Sequence, residues 1–408
     1  MNFIYSKFTS NLAIFFVLVA VFCIQLPTRY MDISLSMLFL FWAISGNYTY
    51  KFHRVISNSG AIVSLILFLV IGLCTLFSPE LTHESYRAWF RYHGLLFIPI
   101  IISLIDENKY RDYAINTFLI SSSIVLLISY SKWAGILPID FIRTDGNGPV
   151  AFRNSISQSI FIAYAIHLMA TKLNQASKYS KFFWILAIVF SMFNIFFVVD
   201  SRSGQLAMFF SLALLFYFNW KALNFKYVLT GGLLLITLFI FQFNSISNLK
   251  IFNIKNEILL AQNQNQVTSS GQRLELWSNT LALVKKHPFF GGGAGSLEYE
   301  YRKYTPEDRI VQAKKFANPH SHFMLTLQET GIVGLGLFFI FWFTHWKIAS
   351  KLRYQTYEIA LKGLVIIFIV TSLFNCMYWG GEGKFYYLFA GLLLSAYSKK
   401  HKSLRGKN

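Results

Sequence analysis

Long apolar runs recur along the whole chain, and they constrain its fold more than any motif does. The first extends from Leu12 to Leu26, and others are centred near residues 38, 68, 99, 122, 163, 190, 211, 235, 335, 368 and 391. Of the 408 residues, 55% are hydrophobic and 13% are charged, with a mean hydropathy of +0.47. Soluble proteins contain about 25% charged residues. The composition therefore predicts an all-α polytopic membrane protein with about twelve transmembrane helices.

The basic residues of the connections predict how these helices are oriented. With a cytoplasmic N-terminus, 19 of the 37 Lys and Arg residues lie on the cytoplasmic side and 8 lie in short loops opposite. Short cytoplasmic loops carry such an excess of positive charge. Both termini are therefore predicted in the cytoplasm and the long loop outside, in the periplasm of a cell with two membranes. No Ala-x-Ala cleavage site follows Leu26, so the first run is predicted to be retained as a helix.

Four parts follow from this pattern. Residues 1–243 are predicted to hold about nine transmembrane helices and residues 323–398 about three. Between them, residues 244–322 form a long periplasmic loop, and residues 399–408 form a basic cytoplasmic tail. The net charge of +19 is spread over short connections, so it indicates membrane topology rather than nucleic-acid binding.

The three cysteines give no sign of a disulfide framework or a metal site. Cys23, Cys74 and Cys376 fall within apolar runs at unrelated spacings. Such residues usually behave as small buried hydrophobes. We predict that role for all three.

An arginine stands in a very short connection between two apolar runs, Asp200–Gly204. This places Arg202 at the outer edge of the membrane. A charge at that depth is costly unless it meets an anionic partner or the lipid head groups. Arg202 is therefore either part of a functional anion site or a head-group contact.

A second arginine, Arg273, opens a predicted helix within the long loop. Ser269 with Gln272 forms a capping pattern, and apolar residues follow at helical spacing: Leu274, Trp277, Leu281 and Val284. This predicts an amphipathic helix lying on the membrane, with Arg273 on the face of Trp277 and an end at Pro288. The glycines of 291–295 that follow predict either a phosphate-binding loop or a flexible hinge.

Two histidines follow Pro319 at the start of the next apolar run. His320 and His322 could bind a metal, but no third ligand has a suitable spacing and no Asp-x-Asp pair occurs in the chain. A neutral histidine acting as general base is favoured, and a purely structural histidine is the alternative. From Phe323 onward we predict a continuous helix. Its glycines are predicted to let another helix approach closely: Gly331, Gly334 and Gly336.

Together these motifs resemble the O-antigen ligase and polymerase superfamily of bacterial envelopes. The matching elements, in order, are Ser201–Gly204, the helix from Arg273 into Lys286–Gly291, and His320-Ser321 separated by nine residues from Gly331-x-x-Gly334. The resemblance covers roughly residues 190–340. The first 140 residues agree only in being apolar and helical.

The resemblance implies a C-type glycosyltransferase-like fold and inverting glycosyl transfer without a metal or another cofactor. The donor would be a glycan on undecaprenyl pyrophosphate, and Arg202 and Arg273 would bind its pyrophosphate because guanidinium groups match phosphate oxygens. His320 would accept the proton of the attacking hydroxyl. It also implies a multi-pass protein of the inner (cytoplasmic) membrane, in contact with its lipids, whose active site faces the periplasm.

Further residues are secondary candidates for this site. Ser321, His322 and Trp277 neighbour the principal residues, and a polar segment at the mouth of a helix could line the donor or acceptor cleft: Arg143, Arg153, Asn154 and Gln158. Arg87 and Arg91 share one helical face and could meet lipid phosphates. Plain head-group anchoring is the alternative for both sets.

Several functions fit these residues. The first is O-antigen ligase, which joins a finished polysaccharide to a sugar hydroxyl of lipid A-core, and the second is O-antigen or capsule polymerase. A protein O-oligosaccharyltransferase usually carries an additional soluble domain. A transporter with Arg202 and Arg273 along an anion path would show repeated or broken helices in two halves, and the sequence shows no such repeat.

Overall fold

The computed structural model describes residues 2–78, 81, 83–141, 148–173, 176–199, 201–219, 269–304, 318–378 and 380–397. Every regular element within these residues is helical. The helices are α1 (Asn2–Cys23), α2 (Thr28–Ile44), α3 (Tyr48–Ile56), α4 (Ser59–Leu76), α5 (His83–Phe90), a 3-10 helix (Arg91–Leu96), α6 (Phe97–Leu104), α7 (Asn108–Trp133), α8 (Ser155–Lys172), α9 (Lys178–Phe193) with a π-helical turn (Asn194–Val198), α10 (Arg202–Asn219), α11 (Ser269–Val284), α12 (Ser296–Tyr304), α13 (His322–Ala349), α14 (Gln355–Ser372) and α15 (Gly380–Leu394).

Six helical segments of the described residues are long and apolar enough to cross a membrane. They are Ser6–Cys23, Ser59–Leu76, Asn108–Trp133, Lys178–Val198, His322–Ala349 and Gln355–Ser372, and Arg202–Phe218 is a shorter apolar helix. These segments support a multi-pass membrane protein. The count of about twelve stays a prediction, and the apolar run near residue 235 lies outside the described residues.

The core of the bundle is built from aromatic side chains on α7, α8 and α15. The ring of Phe385 lies 5.4 Å from that of Phe118, 4.8 Å from Phe161 and 5.3 Å from Tyr164, measured between centroids. All four side chains are fully buried. Such edge and offset contacts add to the stabilisation from burial alone.

Basic residues near one end of the bundle bind carbonyl oxygens at helix ends. Lys51 donates to the carbonyl of Trp42 at 2.6 Å, and Arg111 donates to that of Ile105 at 3.1 Å. The last carbonyls of a helix have no partner within it, and a cation satisfies them well. Both residues are among those predicted to lie on the cytoplasmic side. Besides indicating topology, their charges therefore stabilise helix ends.

Helix α13 is broken at Gly331, where φ is 63° and ψ is −163°. The rings of His322 and Phe338 lie only 5.0 Å apart, whereas 16 residues of straight helix would separate them by about 24 Å. The two parts, a first arm (322–330) and a second arm (332–349), therefore fold back on each other as a helical hairpin. The prediction of one continuous helix from Phe323 was wrong.

Gly331 and Gly334 provide the space that the chain reversal needs, rather than room for a neighbouring helix. A Cβ at Gly334 would lie 1.8 Å from Oγ1 of Thr330 in the first arm, and one at Gly331 would lie 2.3 Å from the backbone of Phe289. At Gly336 a Cβ would meet nothing within 4 Å. The expected approach of another helix at these glycines is replaced by a chain reversal.

Candidate active site

The tip of the α13 hairpin is covered by residues 288–295, here called the glycine loop. Gly292 donates its backbone N–H to the carbonyl of Gln328 at 2.8 Å, and Gly293 donates to that of Glu329 at 2.9 Å. Two more bonds run in the opposite direction, from Ile332 N–H to Pro288 (2.9 Å) and from Val333 N–H to Phe289 (3.2 Å). The loop thereby satisfies backbone groups that the helix break leaves without a partner.

Each amide of the glycine run is already used within the protein. Besides Gly292 and Gly293, Gly291 donates to the carbonyl of His287 at 3.0 Å, and Ala294 donates to Oγ1 of Thr75 at 3.1 Å. Gly295 donates to the Glu329 carboxylate at 2.9 Å. No amide of this run is left to hold phosphate, and the loop is fixed along its length. These bonds agree neither with a phosphate-binding loop nor with a flexible hinge, the two alternatives that the sequence predicted for residues 291–295.

The carboxylate of Glu329 connects the hairpin to its surroundings. Its side chain is 1% exposed and accepts hydrogen bonds from Gly295 N–H at 2.9 Å and from the Tyr92 hydroxyl at 3.1 Å. A buried carboxylate is tolerated only with such partners. Glu329 therefore holds the first arm of α13, the glycine loop and the 3-10 helix in one arrangement.

His320 lies in a tight turn immediately before α13. Its φ is +49°, a conformation that is uncommon for residues other than glycine. The turn is held by Oδ1 of Asn318, which accepts the N–H of His320 at 2.8 Å and the thiol of Cys376 at 2.9 Å. Backbone strain of this kind persists where the surroundings enforce it, and it is concentrated at functional sites.

The helix that carries Arg273 is attached to the same turn. Trp277, one turn further along α11, donates its indole N–H to the carbonyl of Pro319 at 2.8 Å. Ser321 accepts from the N–H of Met324 at 3.5 Å and caps the first arm. These contacts fix the spacing between α11 and the His320 turn.

Charges of the three motifs act on one another, which is consistent with their lying in one region of the protein. The pKa of His320 is lowered first by desolvation among protein atoms and then by the charge of Arg273. The pKa of Arg273 is lowered by burial and then by the charge of Arg202. His320 is consequently neutral at pH 7, whereas the arginines keep their charge. Arg202 and His320 have exposed side chains, and Arg273 is half-buried.

Arg202 is the first residue of α10, four positions after Val198, the last residue of the π-helical turn. Its neighbour Ser203 accepts a hydrogen bond from Nδ2 of Asn375 at 2.9 Å. A Cβ at Gly204 would lie 2.3 Å from the Ser159 side chain, so α10 and α8 approach closely here. Asn375 thus contacts the Arg202 motif, and the adjacent Cys376 contacts the His320 turn.

His322 points away from this site into the core. Its side chain is 1% exposed and packs against the rings of Phe338 at 5.0 Å and Tyr378 at 4.9 Å. Its ring nitrogens have no hydrogen-bond partner among the described residues. Within the same residues there is no group of three or more His, Cys, Asp or Glu side chains that could hold a metal ion.

The polar segment before α8 has structural partners. Arg153 donates to Thr28 Oγ1 at 3.0 Å, Asn154 caps α8 by accepting the Ser157 N–H at 2.8 Å, and Gln158 accepts the Ala151 N–H at 2.8 Å. Arg143 lies outside the described residues. Of this set, Asn154 is exposed and Gln158 is buried.

Arg87 and Arg91 both have exposed side chains beside the 3-10 helix. Arg87 pairs with Glu84 at 2.9 Å, one helical turn earlier. An exposed pair of this kind contributes little stability. Neither arginine is brought to His320 by any contact described above.

The amphipathic helix predicted after residue 269 is present as α11, but another face is buried. Leu276, Thr280 and Leu283 are buried, whereas Leu281 is 42% exposed. Leu276 packs with Tyr301 of α12, and Leu283 packs with the first arm of α13. The helix therefore packs against protein, which the apolar spacing alone did not indicate.

Four residues of this site were not identified from the sequence: Asn318, Glu329, Asn375 and Cys376. Asn318 had a readable signal, because an asparagine two residues before a turn position commonly accepts that residue's N–H. The contacts of the other three join segments far apart in the chain. Cys376 was predicted to be a small buried hydrophobe, and the structure makes it a hydrogen-bond donor to Asn318.

The site thus combines two guanidinium groups and a neutral histidine beside apolar helices long enough to cross a membrane. Comparison with known families gives a narrower result. Residues 186–339 match the family model described as O-antigen ligase. The match agrees with the resemblance found in the sequence, and it supports the O-antigen ligase superfamily and an enzyme of glycosyltransferase type. A search of curated proteins found no match.

Proposed function

We propose that the protein is an O-antigen ligase that transfers a polysaccharide from undecaprenyl pyrophosphate to a sugar hydroxyl of lipid A-core. The convergence of Arg202, Arg273 and His320 carries this proposal. The family match spans all three residues. The site would face the periplasm from the inner membrane, with both termini in the cytoplasm, as the distribution of Lys and Arg indicates.

Arg202 and Arg273 bind the donor in this proposal. The charge of Arg202 acts on Arg273, and one polyanion bound by both guanidinium groups would neutralise both charges. Two adjacent cations repel each other, and a pyrophosphate between them removes that repulsion. Guanidinium groups also offer paired N–H donors to phosphate oxygens.

His320 acts as the general base. The acceptor hydroxyl attacks the anomeric carbon of the donor glycan, and its proton passes to the neutral imidazole. The bond from the anomeric carbon to the pyrophosphate oxygen breaks, and the electron pair stays on the pyrophosphate, where the arginines stabilise the charge. Attack opposite the leaving group inverts the anomeric configuration, and no metal takes part.

The same geometry favours His320 over His322 as the base. A general base must reach the hydroxyl that it deprotonates. His320 is exposed in the turn beside Arg273, whereas His322 is buried among aromatic rings. The low pKa of His320 also keeps it in the proton-accepting form at neutral pH.

Lipopolysaccharide from a host lacking this gene, separated on a gel, tests the proposal. Bare lipid A-core, with long glycan retained on its lipid carrier, is the expected result. Wild-type complementation restores the ladder, and His320→Ala does not, although the variant protein is present in the membrane at normal amount. Failure of the variant only through lost insertion would contradict the role of His320 as base.

Other patterns would replace the proposed ligase by a related activity. Core carrying a single repeat unit would identify a polymerase. An unchanged ladder would contradict the O-antigen ligase, and capsule or glycoprotein acceptors, including those of a protein O-oligosaccharyltransferase, would then be examined.

A further inference from the structure

A lateral groove of about 720 Å³ lies between α4, the glycine loop and the second arm of α13. One wall is a single face of α4 and the residue that follows the helix: Val70, Leu73, Cys74 and Phe77. The other wall is formed by residues 287–291 and Val333. His287 is the one strongly polar side chain in this lining. A space of this size and composition suits a hydrocarbon ligand.

The mouth of the groove is apolar at its sides and basic at one end. Phe77 is 82% exposed and Phe289 is 66% exposed, so the groove is open at the protein surface, where a lipid chain could enter it. Lys285 and Lys286, both with exposed side chains, precede His287 at its edge. An anionic head group beside these lysines would complete a lipid whose chain lies in the groove.

The groove is separated from the residues proposed to bind pyrophosphate. Arg273 and Val284 stand near opposite ends of α11, about 16 Å apart along the helix, and the groove begins beyond Val284. Helix α13 packs against both α4 and α14, while α10 with Arg202 packs against α14 and α8. The groove therefore lies on the other flank of α13 from Arg202.

This separation distinguishes the two lipid substrates. The hydrocarbon chain of the donor is joined directly to its pyrophosphate, so it must begin beside Arg202 and Arg273. In the acceptor, several sugars separate the hydrocarbon chains from the accepting hydroxyl. A groove beyond the far end of α11 from Arg273 suits the acceptor better.

We propose that this groove binds an acyl chain of the anionic acceptor glycolipid, with a phosphate of its head group beside Lys285 and Lys286. The inference rests on the proposed glycosyl transfer and adds the position of the second substrate. The wall of the groove is the glycine loop, which is bonded to the hairpin that carries the His320 turn. Acceptor bound there is held by a surface rigidly connected to the base.

A bulky residue in the groove tests this site. The full-length protein is assayed in detergent micelles with a lipid-linked glycan donor and either acylated lipid A-core or its deacylated core saccharide. Leu73→Trp fills the groove, so we expect the ratio of kcat/KM for the acylated over the deacylated acceptor to fall about tenfold or more, the equivalent of about two lost methylene contacts.

Leu69→Trp is the matched control. Leu69 lies one turn earlier on α4, is 58% exposed against 50% for Leu73, and does not line the groove. Its variant should keep the wild-type ratio. If Leu73→Trp does not fold, Val333→Phe fills the groove from the opposite wall, and Ile332→Phe beside it serves as control.

Three results would overturn the proposal. An unchanged acceptor ratio in a folded groove variant would mean that only bulk lipid occupies the groove. An equal fall of the acceptor ratio in Leu73→Trp and Leu69→Trp would also mean that the groove binds no acceptor chain specifically. A rise in KM for the donor with both acceptors would assign the groove to the donor chain. Wild-type protein that transfers glycan to neither acceptor would instead contradict the proposed function itself.

Discussion

The two halves of the candidate active site are held in place by different kinds of contact. The His320 side is attached to the α13 hairpin, whose tip is bonded to the glycine loop through four backbone hydrogen bonds. The Arg202 side is held by side chains, through Asn375 to Ser203 and through Ser159 packed on Gly204. Backbone bonds depend on chain geometry rather than on side-chain identity, so glycines control the first side and polar side chains the second.

This difference indicates which changes remove the fold and which only weaken the site. On the His320 side, a methyl group at a required glycine disturbs a whole hydrogen-bonded unit. On the Arg202 side, loss of one side chain leaves the helices packed. The substitutions below distinguish loss of the fold from a weakened site, and they run from the largest expected effect to the smallest.

Gly331→Ala should abolish folding. Its φ of 63° with ψ of −163° is accessible essentially only to glycine, and the added methyl would lie 2.3 Å from the Phe289 backbone. The backbone strain alone costs about 1–3 kcal/mol. Size-exclusion chromatography of the detergent-solubilised variant should show little folded protein.

Gly336→Ala is the control for that experiment. A methyl at Gly336 meets nothing within 4 Å, so the substitution should leave the protein folded and more stable by about 0.5–1 kcal/mol. A well-folded Gly331→Ala protein would show that the chain reversal is not required.

Arg273→Gln should weaken the donor site and change its pH dependence. Loss of charge-assisted bonds should lower kcat/KM for the donor about 10–100-fold. Arg273 lowers the pKa of His320, so its removal raises that pKa, and the acid limb of the pH–rate profile should move to higher pH. Arg273→Lys keeps the charge and should leave the limb in place while donor KM rises, because it lacks the guanidinium fork. An unmoved limb in Arg273→Gln would contradict the coupling.

Asn318→Ala should lower the rate constant of transfer about tenfold, because the His320 turn loses the acceptor of two hydrogen bonds. Asn318→Asp keeps that oxygen and should restore most of the rate. Its negative charge should also raise the pKa of His320 and move the acid limb to higher pH. Equal activity in wild type and Asn318→Ala would show that the turn holds its shape without this side chain.

Asn375→Ala should have the smallest effect. It removes the hydrogen bond to Ser203 at 2.9 Å and a longer one to the Thr371 carbonyl at 3.4 Å, so donor KM should rise about two- to fivefold with kcat nearly constant. A large fall in kcat would show instead that Asn375 positions the His320 turn, through its neighbour Cys376, which bonds to Asn318.

The sequence predicted an all-helical membrane protein because apolar runs are a local pattern, and the roles of Arg202, Arg273 and His320 stay predictions. Apolar runs indicated membrane helices, and the three motifs with Arg202, Arg273 and His320 hold groups that influence one another electrostatically. Charge and residue type are visible in the sequence without knowledge of tertiary contacts.

The hairpin was not predicted because its arms are both apolar and helical. Hydropathy over 322–349 describes one long span, and only the conformation of Gly331 shows the reversal. The glycine run predicted a ligand loop or a hinge because most partners of its amides are distant in sequence: Gln328 and Glu329 lie about 35 residues further on, and Thr75 lies far earlier in the chain.

The most direct test of the account is a purified transfer reaction that compares wild type with His320→Ala. Lipid-linked glycan and lipid A-core are mixed with each protein, and single-turnover transfer and donor binding are measured separately. If His320 is the general base, both proteins should bind the donor equally well. Transfer by the variant should be about 10²–10⁴-fold slower. Transfer by His320→Ala at the wild-type rate would contradict the assignment of His320 as the general base.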